Sequence, residues 1–323
     1  MSLELKVTPI LDSHTIEVSK FKNIPVYNGV IVNEIAKPDP QACFLGAWYR
    51  KVVSSKDYWV GIEGTIELGE FTPDKDRFNL DGRGRYADNP SVYMGGHATL
   101  ESDAGLGMNM GYPDQDTSYE LTQAYPKICW RPFWRYIYNY VTDDKGNVNR
   151  YSVNSWNVSD PRHFGYYYFP GDVIRMAVYS PIPDYMQLRI EVVKPTTIPK
   201  YVEQRKKYGL KDDLPHDFYS PIFHSKGHGG LNVAEFKRVN AIDQFGNEGY
   251  VVKHTKATVS KASWKEVYLY RYIDGTLMKV PFNQSRYASM ICPNPTAFTI
   301  DTTNVDHTLG GENIEIHPGK VVW

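Results

Sequence analysis

The amino-acid sequence predicts an all-β fold, a double-sheet antiparallel sandwich with long loops. Apolar and polar residues alternate most clearly from Met186 to Val192, which is typical of a half-buried strand. Turn-forming residues punctuate the chain at short intervals, with 25 Gly and 21 Pro among 323 residues. Helical sequence is confined to Lys200 to Tyr208, for which we predict one or two turns. Many short strands with almost no helix favour two packed sheets.

Two hairpins are expected from the turn chemistry. The Asp274-Gly275 dipeptide tolerates positive φ angles and would join a strand at 267–273 to one at 276–280. The proline-rich turn at 180–184 would join a strand at 173–179 to the alternating segment that follows it. Strands that follow each other in the chain are therefore predicted to pair antiparallel.

The predicted domain organisation is simple. Residues 1–20 form an N-terminal arm, and residues 21–323 form a single β-sandwich domain, because sandwiches often exceed 200 residues as one unit. A polar, proline-punctuated stretch at about 195–230 is predicted to be a surface loop excursion.

The charge balance excludes some classes of partner. With 36 basic and 37 acidic residues the net charge is −1, so no nucleic-acid partner is expected. No membrane association is expected either, because no stretch approaches the roughly 18 apolar residues of a membrane helix. The first residues lack a signal-peptide pattern, which makes a cytoplasmic location the default. The oligomeric state is left open.

The cysteines carry no recognisable pattern. Cys43, Cys129 and Cys292 are far apart and odd in number, so no disulfide framework is predicted. Each is expected to be a buried thiol.

The segment from Pro132 to Val141 places four aromatic residues on one strand face. They are Trp134, Tyr136, Tyr138 and Tyr140. One interpretation is packing between two sheets, because aromatic side chains dominate cores. The other is a groove in which sugar rings or peptide side chains stack. Both interpretations remain open at this point.

The run Tyr58 to Gly64 (YWVGIEG) is an alternating strand that ends at a glycine. With it, the chain resembles the glutamic peptidases called eqolisins. Three further segments fall in the order found in that family: Val92 to His97 (VYMGGH), Gly171 to Val178 (GDVIRMAV) and Ala234 to Asp243 (AEFKRVNAID). The resemblance implies a concanavalin-like sandwich of jelly-roll type and a hydrolase that acts on an extended polymer. It also makes an extracellular location an alternative to the cytoplasm.

In eqolisins a glutamate and a glutamine form the catalytic pair. The resemblance assigns the glutamate to Glu235, where a carboxylate would activate water, although a solvent-facing strand carboxylate is the alternative. The place of the glutamine is taken by Met94, which cannot donate a hydrogen bond to an oxyanion. Glu101 and Asp103 are the nearest acids in sequence, and either one with Glu235 would supply the two carboxylates of a glycosidase.

The predicted substrate-binding residues come from the family-like strand, the altered position and the aromatic segment. They are Trp59, Glu63, Met94, Trp134, Tyr136 and Tyr138. Three functions therefore compete: a hydrolase, a non-catalytic module that binds an extended peptide or glycan, and a structural assembly protein.

Neither a metal nor a cofactor is expected. His224 and His228, with Asp217 nearby, lie among glycines in what is predicted to be a flexible polar loop, where a spacing of four does not favour metal binding. The acidic stretch that contains Asp114, Asp116 and Glu120 lacks the spacing of a calcium loop and is predicted to be a solvated loop.

Overall fold

A computed structural model describes residues 20–82, 85–109, 129–142, 148–158, 165–207 and 214–321. Helix α1 spans Pro199–Lys207. The strands within these ranges are β1 (Ala47–Ser54), β2 (Trp59–Glu67), β3 (Glu70–Thr72), β4 (Asp88–His97), β5 (Glu101–Asn109), β6 (Cys129–Thr142), β7 (Val148–Asn157), β8 (Val173–Tyr179), β9 (Tyr185–Lys194), β10 (Phe218–Tyr219), β11 (Phe223–His224), β12 (Glu235–Gln244), β13 (Thr258–Ile273), β14 (Thr276–Pro281), β15 (Tyr287–Cys292), β16 (Phe298–Asp301) and β17 (Glu312–Ile316).

The strands form two sheets. One has seven strands in the order β15-β1-β12-β4-β5-β6-β7, and the other has ten, with the main order β10-β9-β8-β2-β13-β17-β16. The ladders between the named strands are antiparallel. The predicted all-β, double-sheet antiparallel sandwich is confirmed.

Both predicted hairpins are present. Strands β13 and β14 pair around Asp274 and Gly275, which have φ angles of 49° and 76° and so use the positive-φ tolerance of this dipeptide. Strands β8 and β9 pair across the 180–184 turn. The stretch predicted to be a loop excursion, at about 195–230, contains α1 and the two-residue strands β10 and β11, both of which pair with β9.

The core lies between the two sheets and is rich in tryptophan. Trp264 is fully buried, and its Nε1 donates to Asn240 Oδ1 of the opposite sheet at 2.8 Å. Gly64 makes room for this ring, since a Cβ there would lie 2.7 Å from Trp264 and 2.8 Å from Met94. The close approach of the sheets at this point therefore requires a residue without a side chain.

The prediction for the cysteines was wrong for two of the three. Cys43 and Cys292 form a disulfide that joins the segment before β1 to the end of β15. Cys292 lies beside Tyr49 because β15 pairs with β1. The sequence did not reveal that Cys43 and Cys292 are close, because they are 249 positions apart. Cys129 is a buried thiol, as expected.

The part of the chain that the structure describes contains no helix that is long and apolar enough to cross a membrane.

Candidate functional site

The outer face of the seven-stranded sheet is the face directed away from the ten-stranded sheet. Along β12, Arg238 contacts Glu312 and Asn240 contacts Trp264, both in the other sheet. Because successive strand residues alternate, Lys237 and Asp243 belong to the outer face. Part of this face is an apolar, buried cluster: Ala47, Tyr49, Val53, Tyr93, Val239, Ala241, Ala288, Met290 and Cys292.

Lys237 is the centre of a charged cluster on this outer face. Its Nζ lies 2.7 Å from Asp103 Oδ1 and also forms an ion pair with Glu101. Gly95 of β4 lies between Lys237 and Asp103 in the ladder register, and the lack of a side chain leaves a path for the lysine. The ammonium and the Asp103 carboxylate are almost fully buried, whereas the side chain of Glu101 is 26% exposed.

The cluster extends along β6. Arg135 Nη2 donates to Asp103 Oδ2 at 2.9 Å, and the Arg135 side chain is 25% exposed. In the next row, the rings of Phe133 and Tyr93 meet edge to face with centroids 6.0 Å apart. They meet above Gly105, where a Cβ would lie 2.8 Å from Tyr93 Cβ. Two glycines thus fit large side chains into this face.

The ion pairs keep the central groups charged. Burial alone would raise the pKa of Glu101, but the combined effects of Lys237, Lys51 and Tyr140 outweigh burial and lower the pKa to about 2. Burial likewise opposes the charge of Lys237, yet Asp103 and Glu101 raise its pKa well above the usual range. Burial, with help from the charge of Lys237, lowers the pKa of the neighbouring Lys51 to about 8.

Asp243 is a different kind of carboxyl group on the same face. Burial raises its pKa to about 6, against the opposing effects of Ser91 and Arg135. Ser91 Oγ donates to Asp243 Oδ2 at 2.6 Å. An acid with a pKa near 6 changes its protonation close to neutral pH, so Asp243 has the property of a general acid or base.

The three acids predicted to be catalytic lie on this one face. Glu235 begins β12 and is partly buried, with His97 as its ladder partner. His97 is in turn paired with Glu101. Burial lowers the pKa of His97, and the charges of Glu101 and Glu235 oppose this shift.

Four of the predicted substrate-binding residues lie elsewhere. Trp59, Met94 and Trp134 are 1%, 0% and 3% exposed and pack in the core between the sheets, so they present no surface to a ligand. Glu63 is buried on the ten-stranded sheet, where it accepts hydrogen bonds from Arg189, Tyr270 and Lys279. These placements correct the expectation of a continuous binding strip, because alternation alone does not show which face of a strand is covered.

The four aromatic residues predicted to share one face of β6 do not all do so. Asn139 has a φ of 52°, and the β6–β7 register shifts between Tyr138 and Val141, which is a β-bulge. The bulge carries Tyr140 to the outer face, where its hydroxyl donates to Glu101 Oε2 at 3.0 Å. Tyr136 and Tyr138 are partly buried, and their ring centroids are 5.8 Å apart.

The histidine loop differs from its prediction. His228 is fully buried, and its Nδ1 lies 2.7 Å from Ser225 Oγ, which contacts Ser102 Oγ of β5. Burial lowers the pKa of His228 to about 4. Among the described residues no group of three or more acids, histidines or cysteines is placed to hold a metal ion. The acidic stretch with Asp114, Asp116 and Glu120 lies outside the described residues.

Sequence reasoning missed Lys237, Arg135 and Asp243. Each lies in a segment that was selected for other reasons. Lys237 and Asp243 belong to the family-like segment Ala234 to Asp243, and Arg135 belongs to the aromatic segment Pro132 to Val141. The available signal was face alternation: Lys237 and Asp243 share the parity of Glu235 along β12.

No family model matches the chain, and no curated protein matches it. Similar solved structures include scytalido-glutamic peptidase with a peptide-based transition state analog, at 10% identity and a TM-score of 0.42, and the same peptidase with a transition state analog inhibitor, at 9% and 0.43. A third is SCP-B, a member of the eqolisin family of peptidases in a complex with the tripeptide Ala-Ile-His, at 10% and 0.36. Each of the three matches covers 84% of this chain and 98% of the chain in the solved structure. The resemblance to eqolisins is thus found again among solved structures.

Proposed function

We propose that the outer face of the seven-stranded sheet binds an extended peptide. We propose also that this face does not cleave the peptide by the glutamate–glutamine pair that eqolisins use. The observation that carries this proposal is the double ion pair of Lys237 with Glu101 and Asp103. It commits both carboxylates to holding a buried ammonium. In this proposal the two carboxylates fix the position of Lys237 and contribute charge to a binding surface.

Catalysis by these acids is disfavoured on two grounds. A general base works best with a pKa near the working pH, whereas Glu101 has a pKa of about 2. An oxyanion also needs a preorganised donor, and Met94 is a fully buried thioether that faces the other sheet. Glu235 therefore lacks the partner that the resemblance would give it.

The accessible groups on this face suit a peptide. Glu101 offers carboxylate oxygens, Arg135 offers guanidinium N–H groups, and Tyr140 is 37% exposed beside them. A peptide backbone presents donors and acceptors in alternation and can use both kinds of group. The resemblance to peptidases favours a peptide over a glycan as the ligand.

Binding to peptide and glycan arrays at pH 7 tests the proposal. We expect peptide hits that weaken at least about tenfold in Glu101→Gln and Arg135→Gln, because each change removes a charge-assisted contact. Glu191→Gln, on the ten-stranded sheet, is the matched control and should bind as the wild type does. Hits to glycans alone, or equal weakening in the control, would contradict the proposal.

Asp243 supports a second candidate, a hydrolase that works at mildly acidic pH. Its pKa of about 6 allows proton exchange in that range. Cleavage of unfolded casein near pH 5 would then be lost in Asp243→Asn and kept in Glu235→Gln, because eight positions along β12 place the two residues about 26 Å apart. Activity retained in Asp243→Asn would exclude Asp243 as its source.

The Cys43–Cys292 disulfide supports placing this function in an oxidising compartment, where such bonds persist. Thiol labelling of the native protein from its source tests this. Rapid labelling of Cys43 or Cys292 without a reductant would contradict it.

A further inference from the structure

A separate cleft opens at the side of the sandwich. Its volume is about 600 Å³, and it lies between the segment before β1, strand β15 and the β16–β17 region. This volume is in the range of small-molecule sites. Arg50 lines the cleft from β1, whereas its neighbour Lys51 belongs to the outer face, so the two sites lie on opposite sides of that strand.

The floor of the cleft is buried, and an excess positive charge lies directly behind it. Arg50 donates to both carboxylate oxygens of Glu312, at 3.1 and 2.9 Å. Arg238 pairs with the same carboxylate from the core side. Arg238 does not itself line the cleft, but it shares the Glu312 carboxylate with Arg50, which leaves one positive charge in the buried region behind the floor. Arg238 Nε and Nη1 have no hydrogen-bond partner among the described residues, which agrees with an incompletely balanced site.

The mouth of the cleft is exposed and has a net negative charge. Asp39, Asp301 and Lys37 line it, so its formal charge is negative by one with His307 neutral. The Asp301 carboxylate is held in place by N–H donors from Asn313 at 2.7 Å and Thr303 at 2.8 Å. The cleft therefore has a positive charge behind its floor and a negative mouth.

We infer that this cleft binds a short zwitterion, a free amino acid or a short peptide with both termini free. The carboxylate enters first, toward Arg50 and the hydroxyl of Ser289, which accepts a hydrogen bond from Arg50 and has its own proton to donate. The ammonium group stays near Asp301 and Asp39. A simple anion is the poorer fit, because the mouth acids repel it, and a simple cation meets the positive charge behind the floor.

This inference does not depend on the function proposed for the outer face. Isothermal titration calorimetry with triglycine, triglycine amide and N-acetyltriglycine tests it. We expect triglycine to bind and each blocked peptide to bind at least about tenfold more weakly, since each loses one charge-assisted contact.

Variants locate the binding. Thr302→Trp fills the mouth from an exposed position and should abolish triglycine binding, whereas Thr276→Trp, at an exposed threonine on β14, should not. Asp301→Asn should weaken triglycine but leave the acetylated peptide unchanged. Glu101→Gln should leave triglycine binding intact, which separates this site from the outer face.

Three results would overturn the inference. They are the absence of heat at millimolar triglycine, equal affinity for the acid and the amide, and unchanged binding in Thr302→Trp. Binding that is lost in Glu101→Gln instead would assign it to the outer face.

Discussion

Lys237 and Asp103 form an ion pair across an intervening strand. The Lys237 Nζ to Asp103 Oδ1 distance is 2.7 Å, although β4 lies between the strands that carry them. The pair is possible because the intervening position is Gly95. The charged centre of the outer face thus depends on three strands in one register.

Replacing Lys237 with methionine should destabilise the protein by about 3–5 kcal/mol, because it removes the buried ammonium and leaves only Arg135 to balance the charges of Asp103 and Glu101. The pKa of Glu101 should rise from about 2 toward its ordinary value. Chemical denaturation and NMR titration of the side-chain carboxyl measure the two effects. Lys256→Met is the control, since Lys256 and its partner Asp76 are 67% and 76% exposed, and should cost less than about 1 kcal/mol. Similar losses in both variants would contradict this account of the cluster.

Gly95→Ala should lower the free energy of unfolding by about 1–3 kcal/mol, the usual cost of overpacking. A Cβ at Gly95 would lie 1.9 Å from the carbonyl oxygen of Ser102, which cannot move without breaking the β4–β5 ladder. Gly107→Ala is the matched control on β5, since its Cβ would meet only Phe133, at 3.6 Å. Equal melting temperatures for the two variants would show that Gly95 is not required.

The titrations of Asp243 and His228 should change the folding stability in opposite directions as the pH falls from 6 to 4. The pKa of Asp243 is raised from 3.8 to about 6, so its ionised form is unfavourable in the fold and stability is regained as the pH falls through that range. The pKa of His228 is lowered from 6.5 to about 4, so the unfolded chain takes up its proton first and stability is lost as the pH falls.

The variants of these two groups should therefore diverge. Asp243→Asn should be more stable than the wild type at pH 7, by about 1–2 kcal/mol after allowance for partial exposure, with the gain vanishing near pH 4. His228→Gln should lose the fall in stability between pH 6 and pH 4. Urea unfolding at pH 4, 5, 6 and 7 measures both slopes. Curves parallel to the wild type would exclude these titrations.

Removing the disulfide should cost up to about 5 kcal/mol, the upper end of disulfide contributions, because the loop-entropy effect grows with loop length. The bond closes a loop with a sequence separation of 249. The double variant Cys43→Ser with Cys292→Ala, compared with Cys129→Ala, measures this by thermal unfolding with and without reductant. A reductant that leaves the wild-type melting temperature unchanged would argue against the bond in solution.

Much of the fold could be predicted because its signals are local. Alternation and turn chemistry act within a few residues, so the Asp274-Gly275 hairpin and the strand after Tyr185 were predictable. Helix α1 was predictable for the same reason. The bulge at Asn139 was not, because asparagine tolerates a positive φ but does not by itself mark a bulge within a run of strand-forming residues.

The candidate site could be predicted only in part. Glu235, Glu101 and Asp103 do share the outer face, but the residue that pairs with two of them, Lys237, was not selected. Its partners lie more than 130 positions away in the chain, and only strand order brings them together. The burial of Met94 and Trp134 likewise depends on which face of each strand the other sheet covers.

By itself the sequence determined that this chain alternates, turns and packs as antiparallel strands in two sheets, since a two-residue period and turn chemistry are local properties. The tertiary structure alone decided which strands are neighbours and which faces are covered. That decision made Lys237 a partner of Asp103 across Gly95, and Cys43 a partner of Cys292. The physical reason is that strand alternation defines two faces for every strand, while burial, charge pairing and covalent links depend on contacts between residues far apart in the chain.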